Sequence, residues 1–298
     1  MRISTNTVSE GIVRQIQQLN TQQARLQTQI ATGQRISQPE DDPAAVGRVL
    51  NLQSERRQIE QYGHNADRAL QISQASYSGL MSMKSISDRA GELGTLGTGA
   101  LGVEAMKAYA TEVDQLIEQA FQVANTRFNG DYIYGGTAVD APPLTATRAL
   151  DGKIASVVYN GNAAQASIPL SEATSITPGT TGATNLGLRD FVRNLVALRD
   201  ALTSGNTATV ATVQVTLAQS EDLLISAVAD NGGIQTRIEA SRAQQADRTL
   251  SLDALVSAET DADLPSTIVK LNQSQTAYQA ALQSAANIMR LSLLDYIR

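Results

Sequence analysis

The chain has 298 residues, enough for two domains without a metal or disulfide, yet it contains no Cys, no Trp, three Phe and a single His. Absent cysteine excludes disulfides, iron–sulfur clusters and thiolate nucleophiles. A net charge of -6 and a pI near 4.9 exclude the clustered basic face that nucleic acid requires, and no apolar run approaches the roughly 18–20 residues of a membrane span. The residues that dominate, Ala, Ser, Thr, Gln and Leu, build long helices more readily than thick cores.

The first residues, Met1-Arg2-Ile3-Ser4-Thr5-Asn6, lack an apolar run followed by a cleavage site, so any export is expected to use a route other than a Sec-type signal. From there Ile12, Ile16, Leu19, Gln23, Leu26, Ile30 and Gly33 recur at alternating spacings of four and three, the mark of a heptad seam. Polar residues flank the stripe on both sides, so a helix this narrow in its apolar face would be marginal alone in water. Gly33 to Asp42 should break it, and Asp42 followed by Pro43 starts the next helix, with a carboxylate at the N-cap and proline at the first helical position.

The second helix is expected to run to about Arg89 and to stop in the glycine-rich stretch Gly91, Gly94, Gly97, Gly99 and Gly102. A third follows from about Val103 to Phe128. Asn129-Gly130 then signals a turn, and the aromatic stretch Asp131 to Gly136 reads as a strand. Residues 137–187 carry four prolines, a strand at 155–159 and an Asn160-Gly161 hairpin signal leading into Ala164 to Leu170. Helical periodicity returns near Phe191 and again from Thr207, where Gly232-Gly233 either breaks the helix or answers a need for close packing.

The last helix carries a second stripe through Leu264, Ile268, Leu271, Gln275, Tyr278, Leu282, Ala285, Met289 and Leu293. Each stripe holds one Gln, and pairing the two helices would bury both, with Gln23 and Gln275 as candidates to face each other. The fold class is therefore mainly α with a small β-rich insertion: an elongated helical bundle or coiled coil of paired N- and C-terminal segments bearing a central β knob. The expected organisation is an assembly helix over 1–42, a first helical half with hairpin over 43–136, an insertion over 137–187, a second half over 188–262 and an assembly helix over 263–298.

Nothing in the sequence calls for catalysis. His64 is alone, Asp41-Asp42 is explained by the helix start that follows, and the glycine-rich stretch lacks the Lys and Ser or Thr of a phosphate loop. The chain is accordingly expected to be no enzyme and to use no cofactor or metal. An effector enzyme would need a catalytic cluster within 137–190, where there is neither His nor Cys.

Five segments in order resemble the flagellin superfamily, and within it the hook–filament junction branch. They are Met1 to Asn6; Gly33-Gln34-Arg35-Ile36-Ser37-Gln38-Pro39-Glu40-Asp41-Asp42-Pro43; Asn129-Gly130-Asp131-Tyr132-Ile133-Tyr134-Gly135-Gly136-Thr137; Glu259 to Leu264; and Leu291-Ser292-Leu293-Leu294-Asp295-Tyr296-Ile297. Filament flagellins usually read Asp-Asp-Ala-Ala-Gly where this chain has Pro43, and tend to end in Leu-Leu-Arg. The resemblance implies a structural subunit exported unfolded through the flagellar type III channel and located outside the cell at the hook–filament junction. Its implied partners are hook-associated protein 1, flagellin, copies of itself in a ring or helical layer, and an export chaperone, with no nucleic acid and no membrane. The alternative it leaves open is a flagellin that forms the filament.

Overall fold

The computed structural model describes the backbone of residues 2–99 and 102–297 and, within it, the side chains of 10–99 and 102–287. In chain order the elements are α1 (Arg2–Thr32), α2 (Pro43–Thr98), α3 (Val103–Ala124), β1 (Arg127–Phe128), β2 (Asp131–Tyr132), β3 (Leu144–Arg148), β4 (Ile154–Tyr159), β5 (Ile168–Pro169), β6 (Ser175–Ile176), α4 (Gly182–Ser204), α5 (Thr207–Thr260) and α6 (Leu264–Ile297). The fold is mainly α with a small β insertion made of antiparallel strand pairs. The chain divides into two compact units, one of residues 1–58 and 248–298, the other of residues 59–247.

The larger unit is built on α3 and α4. On α3, Met106, Ala110, Val113, Ile117, Ala120 and Ala124 repeat at four and three and are all buried. On α4, Leu188, Phe191, Leu195, Leu198 and Leu202 do the same. Thr181 caps the start of α4 by accepting from the Thr184 amide at 3.1 Å, and Gly205, at φ 69°, takes the left-handed conformation that ends it. Leu80, Met83 and Leu93 of α2 and Val210, Leu217 and Leu224 of α5 join this core, as do Leu144, Ile154 and Val157 from β3 and β4. A smaller cluster holds Ala66, Ala69, Leu170, Ile176 and Ile238.

Three expectations about local structure are corrected. The glycines at 91, 94 and 97 do not stop α2, which continues to Thr98. A Cβ on Gly97 would lie 2.4 Å from Leu202 Cδ2, and one on Gly94 would lie 3.0 Å from Gln214, so these two glycines admit neighbours to the helix surface. Asn160-Gly161 does not turn β4 forward into a hairpin. Strand β4 instead folds back on β3, pairing Leu144 with Tyr159 and Thr147 with Ser156, while β5 pairs with β6. The reason lies upstream: the Asn125 side chain donates to the Leu144 carbonyl and accepts from the Leu144 amide, both at 3.0 Å, which holds β3 at the end of α3 as the partner for β4.

At Gly232-Gly233, helix α5 is unbroken, and a Cβ at either position would meet nothing within 4 Å. Neither a break nor close packing accounts for the pair. Gly232→Ala and Gly233→Ala are each expected to raise the stability of the unit by up to about 1 kcal/mol through helix propensity alone. Thermal unfolding of the two variants checks this; a lowered melting temperature would reveal a neighbour that the free space does not show.

Candidate assembly surface

Helices α1 and α6 pack against each other. Two contacts fix their direction and register: Gln23 Nε2 donates to the Ser274 carbonyl at 3.0 Å, and the Ala262 amide donates to the Gly33 carbonyl at 2.8 Å. Residue numbers rise on one helix as they fall on the other, so the pair is antiparallel. At equal rise per residue, Ile12, Ile16, Leu19, Leu26 and Ile30 stand level with Ala285, Ala281, Tyr278, Leu271 and Thr267.

On α1 the sheltered positions are the seam expected from the heptad spacing. Ile12, Ile16, Leu19, Gln23 and Ile30 are half-buried, Leu26 is buried, and their polar neighbours are largely exposed. On α6 the sheltered row is Thr267, Leu271, Ser274, Tyr278, Ala281 and Ala285, again in fours and threes. This corrects the stripe drawn from sequence. Leu271, Tyr278 and Ala285 belong to it, but Leu264 is 41% exposed, Ile268 is 46% exposed, Leu282 is 43% exposed and Gln275 is exposed. Gln23 therefore meets a backbone carbonyl rather than Gln275. Met289 and Leu293 lie outside the described side chains.

The physical reason is one of size. The α1 row is made of branched, bulky side chains, and the α6 row opposite it is mostly Thr, Ser and Ala, so large residues seat on small ones and the two backbones can approach. Reasoning from apolar residues alone missed Thr267, Ser274 and Ala281. Their signal was present, as a second heptad of small residues one position before the row of Ile268, Gln275 and Leu282.

The turn between α1 and α2 is pinned by charge. Asp42 Oδ1 accepts from the Ala45 amide at 3.0 Å directly before Pro43, capping α2. Asp41 Oδ2 accepts from the Ser37 and Gln38 amides, both at 3.0 Å, and Arg25 lies 3.0 Å from its other oxygen. Arg35 reaches Asp42 and the Glu259 carbonyl, and Arg48 grips the Glu259 carboxylate with two nitrogens at 2.9 and 2.8 Å. The Arg35 amide donates to the Thr260 carbonyl, tying this turn to the one before α6.

These contacts hold three carboxyls below their ordinary values. Backbone donors Gln38 and Ser37 act on Asp41, the Ala45 amide and then Arg35 on Asp42, and Arg48 on Glu259. Since each folded value is depressed, the stabilisation is present above the ordinary 3.8 of Asp and 4.5 of Glu, and is lost as pH falls through the folded values. The turn should therefore loosen only in acid. In an NMR titration the Ala45 and Gln38 amide resonances are expected to shift with midpoints below 3.8; midpoints at or above that value would contradict the cap.

His64 is exposed on α2, and among the described residues no three His, Cys, Asp or Glu side chains come together as metal ligands would. No described helix is long and apolar enough to cross a membrane.

The family described as the bacterial flagellin N-terminal helical region matches residues 3–138. The chain is similar to flagellar hook-associated protein 3 of Escherichia coli strain K12, at 25% identity over 99% of both proteins. It is also 30% identical to flagellar hook-associated protein 3 of Salmonella typhimurium strain LT2 over 146 residues, which is 48% of this chain and 46% of that protein; in that match the chain spans about half the length of its relative. The crystal structure of Bacillus cereus FlgL has the same fold, with a TM-score of 0.60 at 18% identity over 70% of this chain and 99% of that one.

Proposed function

We propose that this chain is a structural subunit of the bacterial flagellum that joins the hook, through the preceding hook-associated protein, to the flagellin filament. The observation that carries the reading is the second apolar row of α6. Leu264, Ile268 and Leu282, with Val269 beside them, are 41–55% exposed although the helix is already paired with α1. A helix with one row used inside the subunit and another left open has a surface for neighbouring subunits.

The full-length similarity to a protein named hook-associated protein 3 supports the junction rather than the filament, as do Pro43 and the Asp295-Tyr296 pair in the sequence. In this reading the partners are hook-associated protein 1 on one side, flagellin on the other, copies of the chain in a ring or helical layer, and an export chaperone before type III secretion to the cell exterior. The role is structural and involves no catalysis.

Electron microscopy of the purified chain added to isolated hooks bearing hook-associated protein 1, and then to flagellin, tests the proposal. A bounded layer on which flagellin grows is expected. Indefinite growth by the chain alone would make it a flagellin, the alternative that its N-terminal family match keeps in view.

A further inference from the structure

The turn between β3 and β4 holds an apolar side chain fully in solvent. Leu150 is 110% exposed, and the turn that carries it is fixed on every side. The Ala149 amide donates to the Lys153 carbonyl at 2.9 Å, the Gly152 amide to the Ala149 carbonyl at 3.0 Å, and Arg148 Nη1 to the Gly152 carbonyl at 2.8 Å. Gly152, at φ 84°, supplies the left-handed position, and both terminal nitrogens of Arg148 hold Glu118 of α3. The cost of ordering this turn is thus met before any partner arrives.

The same unit contains a cleft of about 410 Å³ whose walls include Ile72 of α2, Phe128 and Ile133 of the β1–β2 hairpin region, and Ile168 of β5. Arg68 and Asp131 also line it. Both are exposed, and neither has an ion-pair partner among the described residues. The tip carries one charge of each sign as well, Asp151 and Lys153 flanking Gly152 and standing 3.9 Å apart as an exposed pair. The tip thus offers one apolar side chain and one charge of each sign, and the cleft apolar walls with one charge of each sign, so that Asp151 can meet Arg68 and Lys153 can meet Asp131.

Tip and cleft cannot meet within one subunit. Strand β3 starts beside Asn125, at the end of α3 from which the chain enters the β1–β2 hairpin, and runs back along α3 to Glu118. Its five residues carry the tip roughly 17 Å from the hairpin side of the unit, where the cleft lies. Elements that are complementary but held apart on one molecule make a head-to-tail contact between two, and such contacts close rings or extend helical layers.

We propose that Leu150 of one copy seats in the cleft of a second copy, with Asp151 and Lys153 placed against Arg68 and Asp131. The contact rests on the assembly reading only in so far as a layer-forming subunit meets other copies of itself.

The chain has no cysteine, which makes the test direct. Ala149→Cys and Ser167→Cys chains, each otherwise intact, are mixed and bridged with a short bismaleimide, both in concentrated solution and in layers grown on hooks. Cross-linked heterodimer between 149 and 167 should exceed by at least tenfold that between 149 and Val158→Cys, a residue 55% exposed on β4. Adding Leu150→Asp to the first chain, a change that removes no internal contact of so exposed a residue, should abolish it. Equal yields at 167 and 158, or an unchanged yield with Leu150→Asp, overturns the contact. Layers that form without the 149–167 bridge also overturn it and leave the junction reading standing. A bridge without layers upholds the contact and sinks the junction reading.

Discussion

Gly79→Ala is expected to destabilise the larger unit by about 2–3 kcal/mol even though alanine favours helix, which in a unit of this size is roughly 5–10 °C in melting temperature. The new Cβ would stand 2.1 Å from Tyr134 Oη and 3.1 Å from Cζ. Tyr134 cannot yield easily. It is 1% exposed, and its hydroxyl donates to the Ser76 carbonyl at 2.9 Å, one turn before Gly79 on the same helix. Burial pushes the phenol pKa far up, so the group remains a neutral donor.

The effect has a signature beyond its size. Tyr134→Phe alone should cost about 1 kcal/mol for the lost hydrogen bond. With Gly79→Ala already present it should stabilise, because removing Oη leaves Cζ at 3.1 Å as the nearest atom on that side. A double-mutant cycle by denaturant unfolding measures this change of sign. Additive costs would mean that the methyl and the hydroxyl do not compete for one space.

What could be read from sequence was local. Asn129-Gly130 announced its turn because both residues occupy positive φ, 52° and 96°, a demand few other residues meet. Asp42-Pro43 and the heptad of α1 were legible for the same reason, since each is a matter of near neighbours. Gly94 and Gly97 were misread because their explanation lies on Gln214 and Leu202, more than a hundred residues away. The Asn160-Gly161 signal failed because Asn125 and Glu118 hold β3 to the end and side of α3, and β4 pairs with β3 there.

Helix α6 failed differently. Leu271, Tyr278 and Ala285 lie on two overlapping heptads, one continuing through Ile268 and Leu282, the other through Thr267, Ser274 and Ala281. Hydrophobicity favours the first, whereas the bulk of Ile16, Leu19 and Ile30 on α1 requires the second. Choosing between them needs the partner helix, which a periodicity count on α6 does not contain.

That division of α6 separates pairing within the subunit from joining between subunits, and two substitutions distinguish them. Leu26→Asp puts a carboxylate at a position 8% exposed, level with Leu271, and should cost on the order of 4 kcal/mol, more than a helix pair with so narrow a seam can absorb. Helix signal from α1 and α6, which span 31 and 34 residues, should fall in circular dichroism while the thermal transition of the larger unit stays where it was. Leu282→Asp changes a residue 43% exposed on the open row, so the free subunit should keep its helix content and its melting curve. Both variants are expected to lose incorporation onto hooks by more than tenfold, the first because the surface is dismantled and the second because it is intact but charged. If Leu282→Asp chains join hooks as well as the parent does, the open row is not an assembly surface. If Leu282→Asp melts the α1–α6 pair as Leu26→Asp does, the row serves pairing within the subunit instead.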